Sequence, residues 1–125
     1  MAPQAETVEG ACPLASVGID RASVIERLGG DVSLLAEVAQ IFVEDCPRLI
    51  GSVETAVQSR DAKALARATH TIAGSVGNFT EDGVYTLART VEHLAIAEDI
   101  DGAISGVPAL LKELARVRDA FTAIK

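Results

Sequence analysis

Apolar residues recur every three or four positions along most of this chain, and this spacing constrains its fold more than any other feature. Helical residues advance by about 100° each, so the spacing places apolar side chains on one face of a helix. The sequence shows no convincing strand alternation, and these segments therefore indicate an all-α fold. Four long segments carry the pattern at Leu34, Val38, Ile41, Phe42, Leu49, Val53 and Val57; Leu65, Ala68, Ile72, Val76 and Phe79; Val84, Leu87, Val91 and Leu94; and Leu110, Leu111, Leu114, Val117 and Phe121.

Local signals mark where these helices begin and end. Asp20 can cap a short first helix, which Gly29-Gly30 ends, and Asp31 and Asp61 can cap the next two long ones. Pro47 lies inside a continuing pattern, so it should kink its helix rather than end it. Short loops between amphipathic helices predict an antiparallel up-down four-helix bundle with a short additional N-terminal helix. Two further predictions are a loosely patterned connection over residues 102–106 and a last helix with Pro108 in its first turn.

The length and charge of the chain exclude several classes of protein. With 125 residues it has room for one domain, which we place at residues 19–125, and it is too short to contain an ATP-binding kinase core. Residues 1–18 mix proline and glycine with small and acidic residues, so we expect a flexible N-terminal tail. Eleven basic and 18 acidic residues give a net charge of −7, which disfavours nucleic acid as a partner.

The sequence also predicts a cellular compartment. No window approaches the roughly 18 apolar residues of a membrane span, and the N-terminus lacks the basic and apolar regions of a signal peptide. Two cysteines, Cys12 in the tail and Cys46 in a helical apolar pattern, do not form a disulfide framework. We therefore expect a cytoplasmic protein without membrane insertion.

His70 is the most informative polar position, because it lies away from the apolar stripe of its own helix. The apolar residues of that helix lie about 120° to 180° from His70 around the axis, so the imidazole should face solvent. Glycines inside a helix cost roughly 1 kcal/mol each relative to alanine, so Gly74 and Gly77 on the His70 face need a reason. Close approach of another molecule to the backbone around His70 is such a reason. Spacing alone equally allows an ordinary surface histidine beside glycines that mark a helix end. The face around His70 consists of Lys63, Ala66, Arg67, Ala73, Gly74 and Gly77.

The residues around His70 resemble the signature of histidine-containing phosphotransfer (HPt) domains. The resemblance implies a helical bundle whose exposed His70 accepts a phosphoryl group from the phospho-aspartate of a response-regulator receiver domain and passes it to another receiver. The chain would then be a phosphorelay intermediate of two-component signalling, a phosphocarrier that forms phosphohistidine rather than a stand-alone catalyst. The resemblance covers roughly residues 19–124 and rests on Thr69-His70-Thr71-Ile72-Ala73-Gly74-Ser75-Val76-Gly77-Asn78-Phe79, with Gly29-Gly30-Asp31, Phe42, Pro47, Asp61, Leu87, Arg89 and Glu92 at family-like spacings.

Two positions depart from the family pattern. Ala73 stands where HPt domains usually have a lysine that is thought to help hold the phosphoryl group. Thr80 stands where they often have glycine. Arg67, one turn before His70, is our first candidate for the missing positive charge, and Arg89 is the second.

Glu92 stands where the family places an acidic residue that can reach the imidazole. A carboxylate that accepts from one ring nitrogen fixes the tautomer and leaves the other, expected to be Nε2, free to attack. A salt bridge or a solvated glutamate is an equally good interpretation of the sequence.

His93 lies away from the apolar stripe of the same helix and should be solvated. Two histidines without a cysteine or a carboxylate pair disfavour a metal site.

The resemblance also implies which molecules the chain meets. Receiver domains are the expected partners, with a hybrid histidine kinase as a further candidate, and we expect a monomer. We expect no cofactor on this chain, because the receiver supplies the Mg²⁺ that phosphoryl transfer uses. Because Ala73 replaces the lysine, the alternative is a non-phosphorylated regulatory module that docks on a receiver or histidine kinase. The expected docking surface is Lys63, Ala66, Ala73, Gly74 and Gly77.

Overall fold

A computed structural model describes residue 17 and residues 19–123, and this part of the chain is helical without a strand. None of these helices is long and apolar enough to cross a membrane. The predicted flexible tail over residues 1–18 lies outside the described residues except for Val17, which packs against the core. The helices are α1 (Arg21–Arg27), α2 (Val32–Ser59), α3 (Ala62–Val76), α4 (Val84–Ile96), α5 (Ile100–Ser105) and α6 (Val107–Thr122).

Aspartates begin the first three helices, as the sequence predicts. The Asp31 carboxylate accepts a hydrogen bond from the backbone N–H of Leu34, and Asp20 and Asp61 cap α1 and α3 in the same way. Hydrogen bonds from the Ser33 hydroxyl and from Leu34 lower the pKa of Asp31. The ionised cap therefore stabilises the fold above the ordinary aspartate pKa, and this contribution is lost as the pH falls through the lowered value.

Four long helices, α2, α3, α4 and α6, pack around one core. α2 packs against α3, α3 against α4 and α4 against α6, and contacts between α2 and α6 close the bundle. The three phenylalanines of the chain meet inside it, with the Phe79 ring centroid 5.7 Å from that of Phe42 and 4.6 Å from that of Phe121. Cys46 is buried in the same core, and burial raises the pKa of its thiol to about 11. The structure confirms the predicted four-helix bundle with a short N-terminal helix.

One connection is helical where the sequence shows no clear pattern. The sequence predicts only a loosely patterned connection over residues 102–106, whereas in the structure Ile100–Ser105 form the helix α5. The carboxylate of Asp99 accepts a hydrogen bond from the N–H of Gly102 at 3.0 Å and caps the helix. Ala103 is fully buried in the core. A cap, the buried Ala103 and the partly buried Ile100 and Ile104 thus hold a helix that is too short to show an apolar period.

Gly51 lies inside α2, in open space. A Cβ added at Gly51 would meet no atom within 4 Å, and glycine inside a helix costs roughly 1 kcal/mol relative to alanine. We therefore expect Gly51→Ala to raise the free energy of unfolding by about 1 kcal/mol, measured by urea denaturation. Gly77→Ala is the control and should give no gain, because its Cβ would lie 2.8 Å from the Ala73 carbonyl oxygen and 3.3 Å from Cε1 of Tyr85. A loss of stability in Gly51→Ala would contradict this account.

Candidate functional site

His70 lies near the middle of α3 and points away from the core. Its side chain is 68% exposed, whereas its neighbours Thr69 and Ile72 are fully buried. The Thr69 hydroxyl donates a hydrogen bond to the Leu65 carbonyl oxygen at 2.8 Å, so this buried hydroxyl is not left unpaired. The imidazole therefore faces solvent, as the sequence predicts, while the adjacent side chains of the same helix are packed in the core.

Helix α4 places Glu92 beside His70, although the two residues are 22 positions apart in the chain. Oε2 of Glu92 lies 2.9 Å from Nδ1 of His70, and the glutamate side chain is only 9% exposed. With the carboxylate ionised and the imidazole neutral, this contact places the ring proton on Nδ1 and leaves the lone pair on Nε2, because a carboxylate only accepts hydrogen bonds. This burial rules out a solvated glutamate and favours a carboxylate that orients the imidazole.

Arg89 lies one turn before Glu92 on α4 and faces the same carboxylate. Its Nε is 3.6 Å from Oε1 of Glu92, and its Nη2 is 3.3 Å from Nε2 of His93. The Arg89 side chain is 39% exposed, and His93 is exposed, as expected. The structure thus connects His70, Glu92 and Arg89 through one carboxylate.

A shallow depression of about 320 Å³ lies next to His70 between α3, the following turn and α4. The Tyr85 ring lies beside Gly77 at its edge, and a Cβ added to Gly77 would be 3.3 Å from Cε1 of that ring. Glu81 and Tyr85, from the turn and from α4, were not selected from the sequence, because only the packing of α3 on α4 brings them here. The lining residues are His70, Ala73, Gly74, Gly77, Asn78, Glu81, Tyr85 and Arg89.

Ala73 is not the exposed docking residue that the sequence predicts. It is 3% exposed and belongs to the core, although it borders the depression. The reason is that α4 packs closely on α3 and covers more of that helix than its apolar stripe alone suggests. Gly74 is exposed instead, and a Cβ there would meet no atom within 4 Å. Gly74 therefore forms the open surface next to the imidazole.

The other predicted residues border two different hollows. Lys63 and Ala66 line a hollow toward the start of α3, together with Ile96, which is 62% exposed. Arg67 lines a groove between α2 and α3 together with Arg48. Among residues 19–123 the structure records no ion pair for the Arg67 side chain. The two candidate arginines thus lie in separate hollows, and it is Arg89 that shares the depression with His70.

The end of α3 is held by a contact that sequence reasoning missed. Nη1 of Arg27, in the last turn of α1, donates a hydrogen bond to the carbonyl oxygen of Gly77 at 3.0 Å. The two residues are 50 positions apart, so no local pattern could indicate this contact. It satisfies one of the carbonyl groups that the end of a helix leaves unpaired, and it fixes the edge of the depression.

The bundle is similar to proteins of known structure, and the sequence matches a family model. One similar structure is histidine-containing phosphotransfer protein B (HptB) from Pseudomonas aeruginosa PAO1, with a TM-score of 0.75 and 21% identity over 83% of this chain and 90% of that one. Another is the HPT domain of an Hpt sensor hybrid histidine kinase from Shewanella, with a TM-score of 0.74 and 15% identity over 83% of this chain and 90% of that one. At these identities the likeness shows the fold alone. No curated protein matches the chain significantly. The sequence model of the Hpt domain matches residues 37–120, which is more than half of the 125 residues, and the chain therefore belongs to the Hpt domain family.

Proposed function

We propose that His70 is the phospho-acceptor of a phosphorelay and receives its phosphoryl group from the phospho-aspartate of a receiver domain. As an Hpt domain, the chain has a phosphotransfer role in two-component signalling; the acceptor residue and the direction of transfer are our proposal. The observation that supports it best is an exposed imidazole held at Nδ1 by the buried carboxylate of Glu92, 2.9 Å away. This arrangement leaves Nε2 available as a nucleophile.

In the proposed step, the Nε2 lone pair of His70 attacks phosphorus, and the bond from phosphorus to the aspartyl oxygen breaks. The aspartate leaves as a carboxylate, and the ring keeps its Nδ1 proton and becomes a cationic N-phosphohistidine. Glu92 stabilises this cation because its carboxylate accepts the Nδ1–H hydrogen bond. Transfer to the aspartate of a second receiver reverses the same bond changes.

In this proposal the receiver domain supplies the metal ion that the reaction uses. Phosphoryl transfer depends on positioning and on neutralising the charge of the phosphoryl oxygens. We place the Mg²⁺ on the receiver and no cofactor on this chain, which then acts as a phosphocarrier and a monomer. Receiver domains are the proposed partners, and a hybrid histidine kinase is a further one.

A regulatory binding module is the second candidate function. Ala73 favours it, because the buried alanine offers no charge where the family usually has lysine. Such a module would dock on a receiver or a histidine kinase without carrying phosphate.

A timed transfer assay with a panel of phosphorylated receivers distinguishes the two functions. The phosphorelay role predicts label on this chain that is lost in acid and retained in base, as phosphohistidine requires, and mass spectrometry should locate it on His70. Binding to a receiver without any label on the chain would support the module instead. Label on another residue would overturn both the acceptor assignment and the step written above.

Arg67 and Lys63 provide a matched pair for the effect of positive charge on α3. The phosphoryl group adds close to two negative charges to a chain that already carries −7. Arg67 is one turn from His70 and Lys63 is two turns away. We expect Arg67→Ala to slow phosphorylation or shorten the phosphohistidine lifetime by about two- to fivefold, as for exposed charge pairs, and Lys63→Ala to change either less. Equal values for the two variants in the timed assay would contradict this prediction.

A further inference from the structure

One carboxylate oxygen of Glu92 is buried without a hydrogen bond. Oε2 accepts from Nδ1 of His70, but Oε1 has no hydrogen-bond partner among residues 19–123, although the side chain is only 9% exposed. The guanidinium of Arg89, with Nε 3.6 Å away, is the cation that the structure places beside this oxygen. The contact between them is therefore an ion pair without a hydrogen bond.

A buried carboxylate is costly unless a nearby positive charge compensates it. Removing a carboxylate from water costs several kcal/mol in real proteins, and an uncompensated group avoids that cost by binding a proton. Arg89 is 39% exposed, so solvent screens part of its attraction. Within the described part of the chain, however, Glu92 forms ion pairs with His70 and Arg89 and with no other residue.

A proton on Glu92 would reverse the hydrogen bond to His70. A neutral carboxyl group can donate its O–H to Nδ1, and the single ring proton of a neutral imidazole then resides on Nε2. Nε2 would have no lone pair in that tautomer and could not attack phosphorus. The charge state of Glu92 therefore decides whether Nε2 carries the lone pair that attacks phosphorus.

We infer that Arg89 is a positioning residue: by compensating the buried charge of Glu92, it holds His70 in the tautomer with the proton on Nδ1 and the lone pair on Nε2. The consequence for phosphotransfer rests on the proposed function of His70, whereas the tautomer is a property of the isolated chain. This role differs from that of a cation that contacts the phosphoryl group, because Arg89 acts through Glu92.

Ring ¹⁵N NMR spectra of the unphosphorylated chain test the inference without any partner. Wild type should show the Nδ1–H pattern for His70. Two neutral variants, Arg89→Gln and Arg89→Met, should shift the population toward Nε2–H and slow transfer from a phosphorylated receiver roughly tenfold, the lower end of the range seen when a residue that orients a functional side chain is lost. Arg89→Lys keeps the positive charge and should retain most of the wild-type pattern.

His93→Gln is the matched control, because it removes the other contact of Arg89 and keeps the arginine. It should leave the His70 spectrum unchanged. An Nδ1–H pattern in both neutral variants would overturn the inference, even if transfer slows, since Arg89 would then act on the phosphoryl group directly. If no receiver phosphorylates the wild type, the proposed function fails, while the ring spectra still decide the role of Arg89.

Discussion

His70→Gln should abolish transfer of the phosphoryl group to this chain while leaving its fold intact. A glutamine amide has no nucleophilic nitrogen, but its NH₂ group can still donate a hydrogen bond to the buried Glu92 carboxylate. His70 is 68% exposed, and substitutions at such positions usually change stability by no more than about 0.5 kcal/mol. The measurement is radiolabel transfer from a phosphorylated receiver, with urea denaturation of the same samples.

His93→Gln is the control for this experiment. His93 is the second of the two histidines in the chain, and it is exposed on α4. We expect this variant to be labelled at the wild-type rate, because its imidazole has no contact with the Glu92 carboxylate. Retained labelling in His70→Gln, or loss of labelling in His93→Gln alone, would show that the acceptor is another residue.

Helix ends were predictable because their signals are local. An aspartate that accepts a hydrogen bond from an N–H two or three residues later can be identified from the sequence, and Asp20, Asp31 and Asp61 all do so. The turn after α1 is equally local, since Gly29 and Gly30 have φ angles of 76° and 83°. The α5 helix escaped prediction because its six residues span less than two turns.

The side of each helix that is buried was harder to predict than the helix itself. Ile41 belongs to the apolar pattern of α2 but is 60% exposed, while Leu35 and Ala39 are 1% and 2% exposed. Ala73 shows the same limit on α3, because angles around a helix give direction but not the width of the face that a neighbour covers. Alanine and glycine carry too little hydrophobic signal to mark that width.

The geometry of the site depends on how α3 and α4 align along each other. The contact between His70 and Glu92 joins residues 22 positions apart, so spacing within one helix could not select it, and only the family resemblance pointed to Glu92. The same alignment separates the two candidate arginines in space. Arg89 meets the carboxylate that holds the imidazole, whereas Arg67 faces the groove between α2 and α3.

Gly74→Gln should block docking of the receiver, because it fills the approach to the imidazole. Gly74 is exposed one turn after His70, borders the same depression, and has open space where a side chain would begin. We expect receiver affinity to fall at least about tenfold, which corresponds to 1.4 kcal/mol. The measurement is calorimetric titration with the receiver that transfers fastest to wild type.

Gly74→Ala separates the size of the side chain from its effect on the helix. Both substitutions replace a helix-interior glycine by a better helix former, so both variants should unfold at higher urea concentrations than wild type. Alanine adds one methyl group and should leave most of the affinity, whereas glutamine reaches over the surface that the receiver must approach. A stabilised fold with weakened binding in the glutamine variant alone places the docking surface at this flank of α3. Wild-type binding in both variants, with His70 still the labelled residue, would show that the receiver approaches His70 from another side.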